Sequence, residues 1–367
     1  MGKFDKSVLI IGPFPKPITG NSIANKVVFE GLNKKKGVKV RRINSSTSFF
    51  DEKVGVFSFK KAFNSLRFNF EGYKIFRSDI VYITPGQSFL GVLKYAFLIW
   101  FSKALRKKVV LHIHGNYLRD EYRSISRIKK RVARSILGIA NKGIVLSESL
   151  TPNLTPFLKS ENIEIVYNFV EDYLLEGLNK EVVKNKNLKK LRVIYLSNLM
   201  IEKGIIDLLE ALKILEKDGV EFEAKLAGNI DINSRDRINE YLETLNNVSY
   251  IGVVDGDDKK RLLLWGNVFV FPSYYKMEGQ PLSIIEAMAT GNVILTTNHA
   301  GISDIFSSKN GLFVEPQNPT DIILKMKNVM KEKNKFEEIM RYNHQQSSTI
   351  YRSDLFINKI YKILKEV

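Results

Sequence analysis

The sequence contains no cysteine. That excludes disulfides and thiolate metal sites, and it fits a reducing compartment. Histidine is scarce, with four in 367 residues, and two of the four sit together in "HIHG" (112–115). Long apolar runs are missing as well. The most hydrophobic segment, "SFLGVLKYAFLIWFSKALRKK" (88–108), is interrupted by Lys94 and Lys103. Too little uninterrupted length remains to span a bilayer, so a buried helix is expected, with an interfacial helix as the alternative. The opening "MGKFDKSVLIIGPFP" has only a short apolar run ending at Gly12-Pro13, so no secretory signal is expected. Acidic residues are scarce in the first half: residues 1–170 hold 30 Lys/Arg against 11 Asp/Glu, a net +19 within a whole-chain charge of +18. That half should face something anionic, such as a membrane surface, a nucleic acid or a phosphorylated substrate.

The chain is 44% hydrophobic, enough for ordinary cores, and its length suggests two domains. Short apolar runs alternate with helical patterns. "VLIIG" (8–12), "DIVYIT" (79–84), "KVVLHIH" (108–114) and "GIVLS" (143–147) read as buried strands, with a helix over 21–32 after the first. This is the rhythm of a parallel βαβ sheet. "EIVYNFVEDYLL" (164–175) reads as a last strand and a hinge, and the polar stretch 179–190 marks a boundary. The pattern restarts with strands at 191–197, 221–228, 248–252, 267–273, 292–297 and 311–316. Helices are expected near 204–217, 234–245, 257–265, 282–290 and 319–332. The reading is an α/β chain of two doubly wound domains, 1–170 and 171–345. A final segment, 346–367, is expected to form a helix returning to the first domain. Its apolar positions are Leu355, Ile357, Ile360, Tyr361 and Leu364. In such sheets ligands bind beyond the carboxyl ends of the strands, which makes the space between two such domains the default site.

Three features collect at strand ends. In "LSNLMIEKGIIDLLEAL" (196–212) a strand gives way to a loop, and a helix starts near Gly204. Lys203 stands beside that helix start, where free N–H groups and the macrodipole favour an anion; a solvated surface lysine is the plainer reading. In "EGQPLSIIEAMATG" (278–291), Glu278 lies in a loop and Glu286 about one turn into an apolar helix that Pro281 suits at its start. Two carboxylates so placed could bind hydroxyls, act as acid and base, or hold a metal. No histidine or further carboxylate lies close enough to favour a metal. Acid/base work needs the pair to face each other across a bond, and a grip on a sugar diol suits an acceptor-only carboxylate. An exposed glutamate on an amphipathic helix is the ordinary alternative. In "HIHGNY" (112–117), alternation puts His112 and His114 on one strand face. His112 reads as a core residue, while His114 beside a glycine is open to ligand. "DGDD" (255–258) looks like an Asp-x-Asp metal motif but sits before a helix, where aspartates cap. "GPFPKPITGNS" (12–22), with Gly20, is a strand-to-helix loop lacking both common phosphate-loop spacings.

Taken together these residues resemble the retaining glycosyltransferases of family 4, which have the GT-B fold of two Rossmann-like domains facing across a cleft. The resemblance covers nearly the whole chain and is strongest over 191–316. "EGQPLSIIE" resembles the family's E-x7-E block, "LSNLMIEKG" its phosphate-binding segment and "HIHG" its first-domain histidine segment. The resemblance implies that Glu286 holds the ribose of a nucleotide-diphosphate sugar and that Glu278 contacts the transferred sugar. The backbone around Gly279, Gln280, Pro281 and Leu282 would assist, Lys203 would neutralise the diphosphate, and His114 would touch the sugar near the reaction centre. Gly20 would belong to the donor-binding set. The family usually carries arginine where this chain has Asn198, which cannot supply a bidentate cation; Lys276 is one candidate to compensate. The implied reaction retains anomeric configuration and needs no metal or other cofactor. The implied acceptor is a lipid-diphosphate-linked glycan, as in bacterial capsule, exopolysaccharide or O-antigen assembly.

The basic excess adds a membrane expectation. Read as one helix, 123–139 puts Ile125, Ile128, Val132, Ile136 and Ile139 on one stripe and Arg123, Arg127, Lys130, Arg131 and Arg134 opposite. No acidic residue falls between Glu121 and Glu148. The expected location is cytoplasmic, at the inner face of the plasma membrane, held peripherally by anionic lipid. No nucleic-acid motif appears. The competing readings are an inactive GT-B accessory subunit, for which Asn198 argues, a basic nucleic-acid-binding protein, and a GT-B epimerase or phosphorylase.

Overall fold

Runs such as Val8–Ile11 and Val268–Phe271 are apolar on both faces, as strands covered by helices on each side must be. A computed structural model describes residues 6–46, 68–178, 183 and 186–367. Half of the expected boundary stretch 179–190, namely 179–182 with 184 and 185, lies outside the described residues. The chain divides into two compact units, Met1–Asn168 with Asp354–Val367, and Phe169–Ser353.

The first unit holds strands β1 (Lys6–Gly12), β2 (Val38–Asn44), β3 (Ile80–Ile83), β4 (Lys108–Ile113), β5 (Lys142–Val145) and β6 (Ile163–Ile165). They form one parallel sheet in the order β2-β1-β3-β4-β5-β6. Its helices are α1 (Gly20–Asn33), α2 (Phe89–Leu93), α3 (Ala96–Ala104), α4 (Leu118–Ser124) and α5 (Arg127–Leu137), and the last helix of the chain belongs to it too. Strand β2 escaped the sequence reading. It is an edge strand with only Val38 and Ile43 buried, and its lysines and arginines hide it.

Two segments read as single helices are broken. The stretch 88–108 forms α2 and α3, which part at Lys94 and Tyr95. Lys94 turns inward and donates to the Ser45 carbonyl at 2.7 Å. Burial pushes its pKa down to about 8. Nor is the segment wholly buried, since Leu90, Leu93, Phe97 and Trp100 are 40–53% exposed. The expected helix 123–139 breaks at Ile125, whose extended backbone (φ −75°, ψ 159°) ends α4, and Ser126 caps α5. Arg123 therefore leaves the α5 face. Ile128, expected on the packed stripe, is 74% exposed, while Ala133, Ile136 and Leu137 face the sheet.

The second unit holds β7 (Leu191–Leu196), β8 (Phe222–Ala227), β9 (Val248–Tyr250), β10 (Val268–Phe271), β11 (Val293–Thr296) and β12 (Gly311–Phe313). Their order is β12-β11-β10-β7-β8-β9, again all parallel. The helices are α6 (Asp172–Leu175), α7 (Ile205–Lys217), α8 (Arg235–Thr244), α9 (Gly256–Trp265), α10 (Leu282–Ala289), α11 (Pro319–Lys331) and α12 (Lys333–Ile350). The order reverses between β7 and β10, and that switch point is where a doubly wound sheet opens a crevice at its carboxyl end.

The second unit extends to Ser353 rather than ending at 345, because α12 is tied to it by polar contacts. Asn343, fully buried, donates to the carbonyls of Asn292 and Asn310 at 2.8 Å each and accepts from Asn310 at 2.9 Å. His344 Nδ1 meets the Ala289 carbonyl at 2.6 Å. The final helix α13 (Ser353–Glu366) packs in the first unit through Phe356, Ile360, Ile363 and Leu364. Its Leu355, expected inside, is 47% exposed. Asn343→Leu removes three hydrogen bonds and takes the side-chain donor from the Asn292 carbonyl, while the Asn310 carbonyl keeps the Ile294 N–H at 3.4 Å. It is expected to lower stability by about 2–4 kcal/mol in urea unfolding; a change below about 1 kcal/mol would show that packing alone holds α12.

Candidate active site

The switch point of the second sheet brings together the loops after β7 and β10. Gly204 makes their close approach possible. Its φ of +75° is left-handed, and a Cβ there would lie 2.4 Å from the Pro272 carbonyl oxygen. The Tyr274 N–H donates to the Glu202 carbonyl at 2.8 Å and fastens one loop to the other. Lys203 ends a 3-10 turn (Ile201–Lys203) directly before α7. Its ammonium lies 3.3 Å from Glu278 Oε2 and donates to Ser197 Oγ at 3.2 Å. The Phe271 and Tyr275 rings each lie 5.6 Å from it. Ser273 Oγ donates to the same Glu278 oxygen at 3.3 Å. Lys203 is thus not a solvated lysine: its side chain is 16% exposed and that of Glu278 is 10%. The Glu278 charge and burial push the Tyr275 phenol up to about 12, with burial the larger cause.

Gly279, Gln280, Pro281 and Leu282 are buried and carry the chain from Glu278 into α10. Pro281 is the N-cap (φ −65°, ψ 121°), one position before the first helical residue. Glu286 is 3% exposed, which removes the reading of a solvated helical glutamate. Its carboxylate accepts from Lys259 at 2.6 Å, and Lys259 also reaches Glu171 at 2.8 Å. The Tyr173 ring stands 5.6 Å from the ammonium. Burial raises the pKa of Glu286; Lys259 opposes that and Glu171 adds to it. Burial works against the Lys259 charge as well, but Glu286 and Glu171 outweigh it and hold the pKa above the ordinary lysine value.

Lys259 and Glu171 were missed in the sequence. The signal for Lys259 was its spacing: with Leu262 and Leu263 it forms the i, i+3, i+4 buried face of α9. Asp255 occupies the N-cap position of that helix, yet its side chain makes no capping hydrogen bond, and Asp258 instead pairs with Arg261. Asn198 follows β7, where its carbonyl accepts from Tyr195 OH at 3.1 Å. Lys276 is exposed. Among the described residues, no group of three or more His, Asp or Glu is arranged to hold a metal.

In the first unit, His112 and His114 lie at the carboxyl end of β4 with ring centroids 4.0 Å apart. His112 is fully buried, and its Nδ1 is hydrogen-bonded to Tyr82 OH. His114 is half-buried, and burial pushes its pKa down to about 3, so the ring is neutral at physiological pH. The Nε2 atoms of both rings are buried without a hydrogen-bond partner. Gly20 opens α1 behind Thr19, whose side chain and that of Ser22 form a reciprocal capping box. On α5, Arg127, Arg131 and Arg134 are exposed, while Lys130 is half-buried and donates to the Arg123 carbonyl at 2.8 Å.

Both sheets and their helices are the two Rossmann-like domains of the GT-B fold. Over 99% of this chain and all of the other, the chain superposes on the Anabaena protein HepE bound to UDP-glucose, with a TM-score of 0.73 and 16% identity. Residues 179–347 match the family described as glycosyl transferases group 1. A Campylobacter jejuni relative is the N,N'-diacetylbacillosaminyl-diphospho-undecaprenol alpha-1,3-N-acetylgalactosaminyltransferase. It is 26% identical over 258 residues, 69% of this chain and 66% of that protein. The capsular polysaccharide biosynthesis glycosyltransferase CapM of Staphylococcus aureus is 28% identical over 182 residues, 47% of each chain. The aligned stretches span from about half to just under two thirds of these curated relatives. Residues 179–347 thus match a glycosyltransferase group 1 domain, and several relatives, CapM among them, are named as glycosyltransferases of bacterial polysaccharide biosynthesis.

Lys259→Met would leave buried Glu286 and half-buried Glu171 without their cation. Removing one partner of a buried pair costs about 3–5 kcal/mol. Glu286 already has a raised pKa when folded, so its ionisation lowers stability as pH rises from the unfolded value through the folded one. Loss of Lys259 raises that pKa further. The stability deficit is therefore expected to be largest near neutral pH and to shrink toward about pH 4–5, measured by urea unfolding across pH. A deficit independent of pH would mean that the lysine matters only for packing.

Proposed function

We propose that this chain is a retaining glycosyltransferase. It moves a sugar from a nucleotide-diphosphate donor to a lipid-diphosphate-linked glycan in bacterial surface-polysaccharide synthesis. The observation that carries the reading is the pair of buried carboxylates at the second sheet's switch point, each held by its own lysine: Glu278 by Lys203 and Glu286 by Lys259. The names of the relatives support the pathway, and the C. jejuni name supports a lipid-diphosphate acceptor.

In this reading the diphosphate lies against the start of α7. Helix N–H groups and Lys203 meet its charge there. Lys203 leaves Glu278 for the phosphates, and Glu278 turns to the sugar hydroxyls. As the anomeric bond breaks, positive charge builds on the sugar and negative charge on the diphosphate; fixed cationic donors lower that barrier, and no metal is required. Glu286 accepts from the ribose hydroxyls. Neutral His114 meets the sugar with a ring nitrogen that protein leaves unpaired. Asn198 gives the diphosphate one cation fewer than the resembled family supplies. The enzyme works in the cytoplasm at the membrane's inner face.

Lys203→Ala should weaken nucleotide diphosphate binding about tenfold or more, since a charge-assisted contact contributes about 1.5–3 kcal/mol; unchanged affinity in calorimetry would remove the phosphate assignment. Asn198→Arg should strengthen the same binding. Glu286→Gln should raise the donor KM, whereas Glu278→Gln should mainly lower kcat. Small and equal effects in both would leave these roles without support. His114→Ala should lower kcat with little change in thermal midpoint, while His112→Ala, which breaks the Tyr82 contact, should lower the midpoint. The opposite pattern would exchange their roles.

A further inference from the structure

The segment 88–108 is apolar on every side, so burying one face leaves an apolar stripe outside. Leu90, Leu93, Phe97 and Trp100 follow each other at steps of three and four, and all are at least 40% exposed. They do not stand alone. Phe97 stacks on Phe101 with centroids 5.6 Å apart, and Phe101 meets Phe76 edge-on at 5.3 Å. Phe76 belongs to the 3-10 turn Glu71–Arg77 and is itself 60% exposed. On the other side, Trp100 Nε1 donates to the Ser135 carbonyl of α5 at 3.3 Å. That helix carries Ile128, 74% exposed, among five basic side chains and no acidic one. Neither α2 nor α3 contains an acidic residue.

A contiguous exposed apolar face rimmed by cations is uncommon on a soluble monomer. We propose that this face of the first unit seats in an anionic phospholipid bilayer, with Phe76, Phe97 and Trp100 entering the headgroup–acyl boundary and the α5 arginines on the phosphates. The charge complementarity selects the occupant: an apolar centre suits the boundary, and the five cations of α5 suit anionic headgroups, while the acidic groups nearby are engaged within the protein, Glu121 by the Phe89 N–H and Glu71 by Lys74. A purely electrostatic dock, as the arginine pattern alone suggests, would leave the aromatic side chains in water. The proposal deepens the reading of a membrane-linked acceptor, yet it stands on the first unit alone.

The chain has two tryptophans, so Trp265→Phe leaves Trp100 as the sole reporter. The probe is vesicles of equal phosphatidylglycerol and phosphatidylcholine, against phosphatidylcholine alone. Anionic vesicles should shift Trp100 emission to the blue, and acyl-chain-brominated lipid should quench it. Part of the bound fraction should persist at about 1 M salt, where the screening length is about 3 Å. Phe76→Ser with Phe97→Ser should reduce partitioning about tenfold or more at an unchanged thermal midpoint. Leu324→Ser, at a 59% exposed position of the second unit, should leave it unchanged. Charge reversal at Arg127, Arg131 and Arg134 should abolish the preference for anionic lipid. Complete release at high salt without quenching would overturn insertion in favour of a surface dock. A blue shift that follows protein concentration without lipid would overturn it in favour of a second copy. Nucleotide diphosphate binding needs no vesicle; its loss with insertion retained would remove the proposed transfer and leave this surface standing.

Discussion

A carboxylate taken out of water requires a cation, and that requirement organises the second unit. Glu286 sits in a helix whose neighbours Ile284, Ile285, Ala287 and Met288 are fully buried. An unpaired charge there would cost several kcal/mol. Lys259 meets it from α9, and Glu171 meets Lys259 from the segment leading into α6. Three elements far apart in sequence are thereby fixed around one ammonium. The packing that brings α9 and α10 to this point also places Glu278 at the end of the loop after β10.

The two lysines are held differently, and the difference bears on what each can do. Lys259 is 7% exposed and shared by two carboxylates. Lys203 is 16% exposed and faces one carboxylate, one hydroxyl and two rings. Moving Lys259 would leave buried Glu286 and half-buried Glu171 without their cation. Moving Lys203 toward a phosphate would exchange one anion for another and leave Glu278 the Ser273 hydroxyl. The first arrangement suits a fixed acceptor for hydroxyl donors, and the second suits a cation lent to an incoming ligand.

The sequence made much of this legible, for definite reasons. Both sheets could be read because doubly covered parallel strands are uninterrupted apolar runs; β2 was lost because an edge strand carrying Arg41 and Arg42 lacks that signature. Lys203, Glu278 and Glu286 stood out because charge beside glycine or inside an apolar helix is conspicuous. Glu171 did not, because a pairing across 88 residues leaves no local trace, and Lys259 showed only as a buried-face position of α9. The break at Ser126 was hidden for another reason. Ile125, Ile128, Val132 and Ile136 keep helical spacing through it, and only the serine cap marks the interruption.

The same ambiguity shaped the reading of 88–108. An apolar stretch with apolar residues on all sides is compatible with a buried helix, and periodicity cannot choose which face is covered. The fold decides by supplying, among the described residues, one sheet face, the neighbouring α5 and the 3-10 turn Glu71–Arg77. Leu98 and Ile99 are fully buried, while Phe97 and Trp100 remain outside. A solvent-facing helix under no other demand can carry polar groups at those positions, because leaving Phe97 53% and Trp100 44% exposed forfeits part of the about 1.5–3 kcal/mol that full burial of such a side chain contributes. The aromatic side chains there, beside a helix whose charges are all positive, are what the proposed bilayer contact rests on.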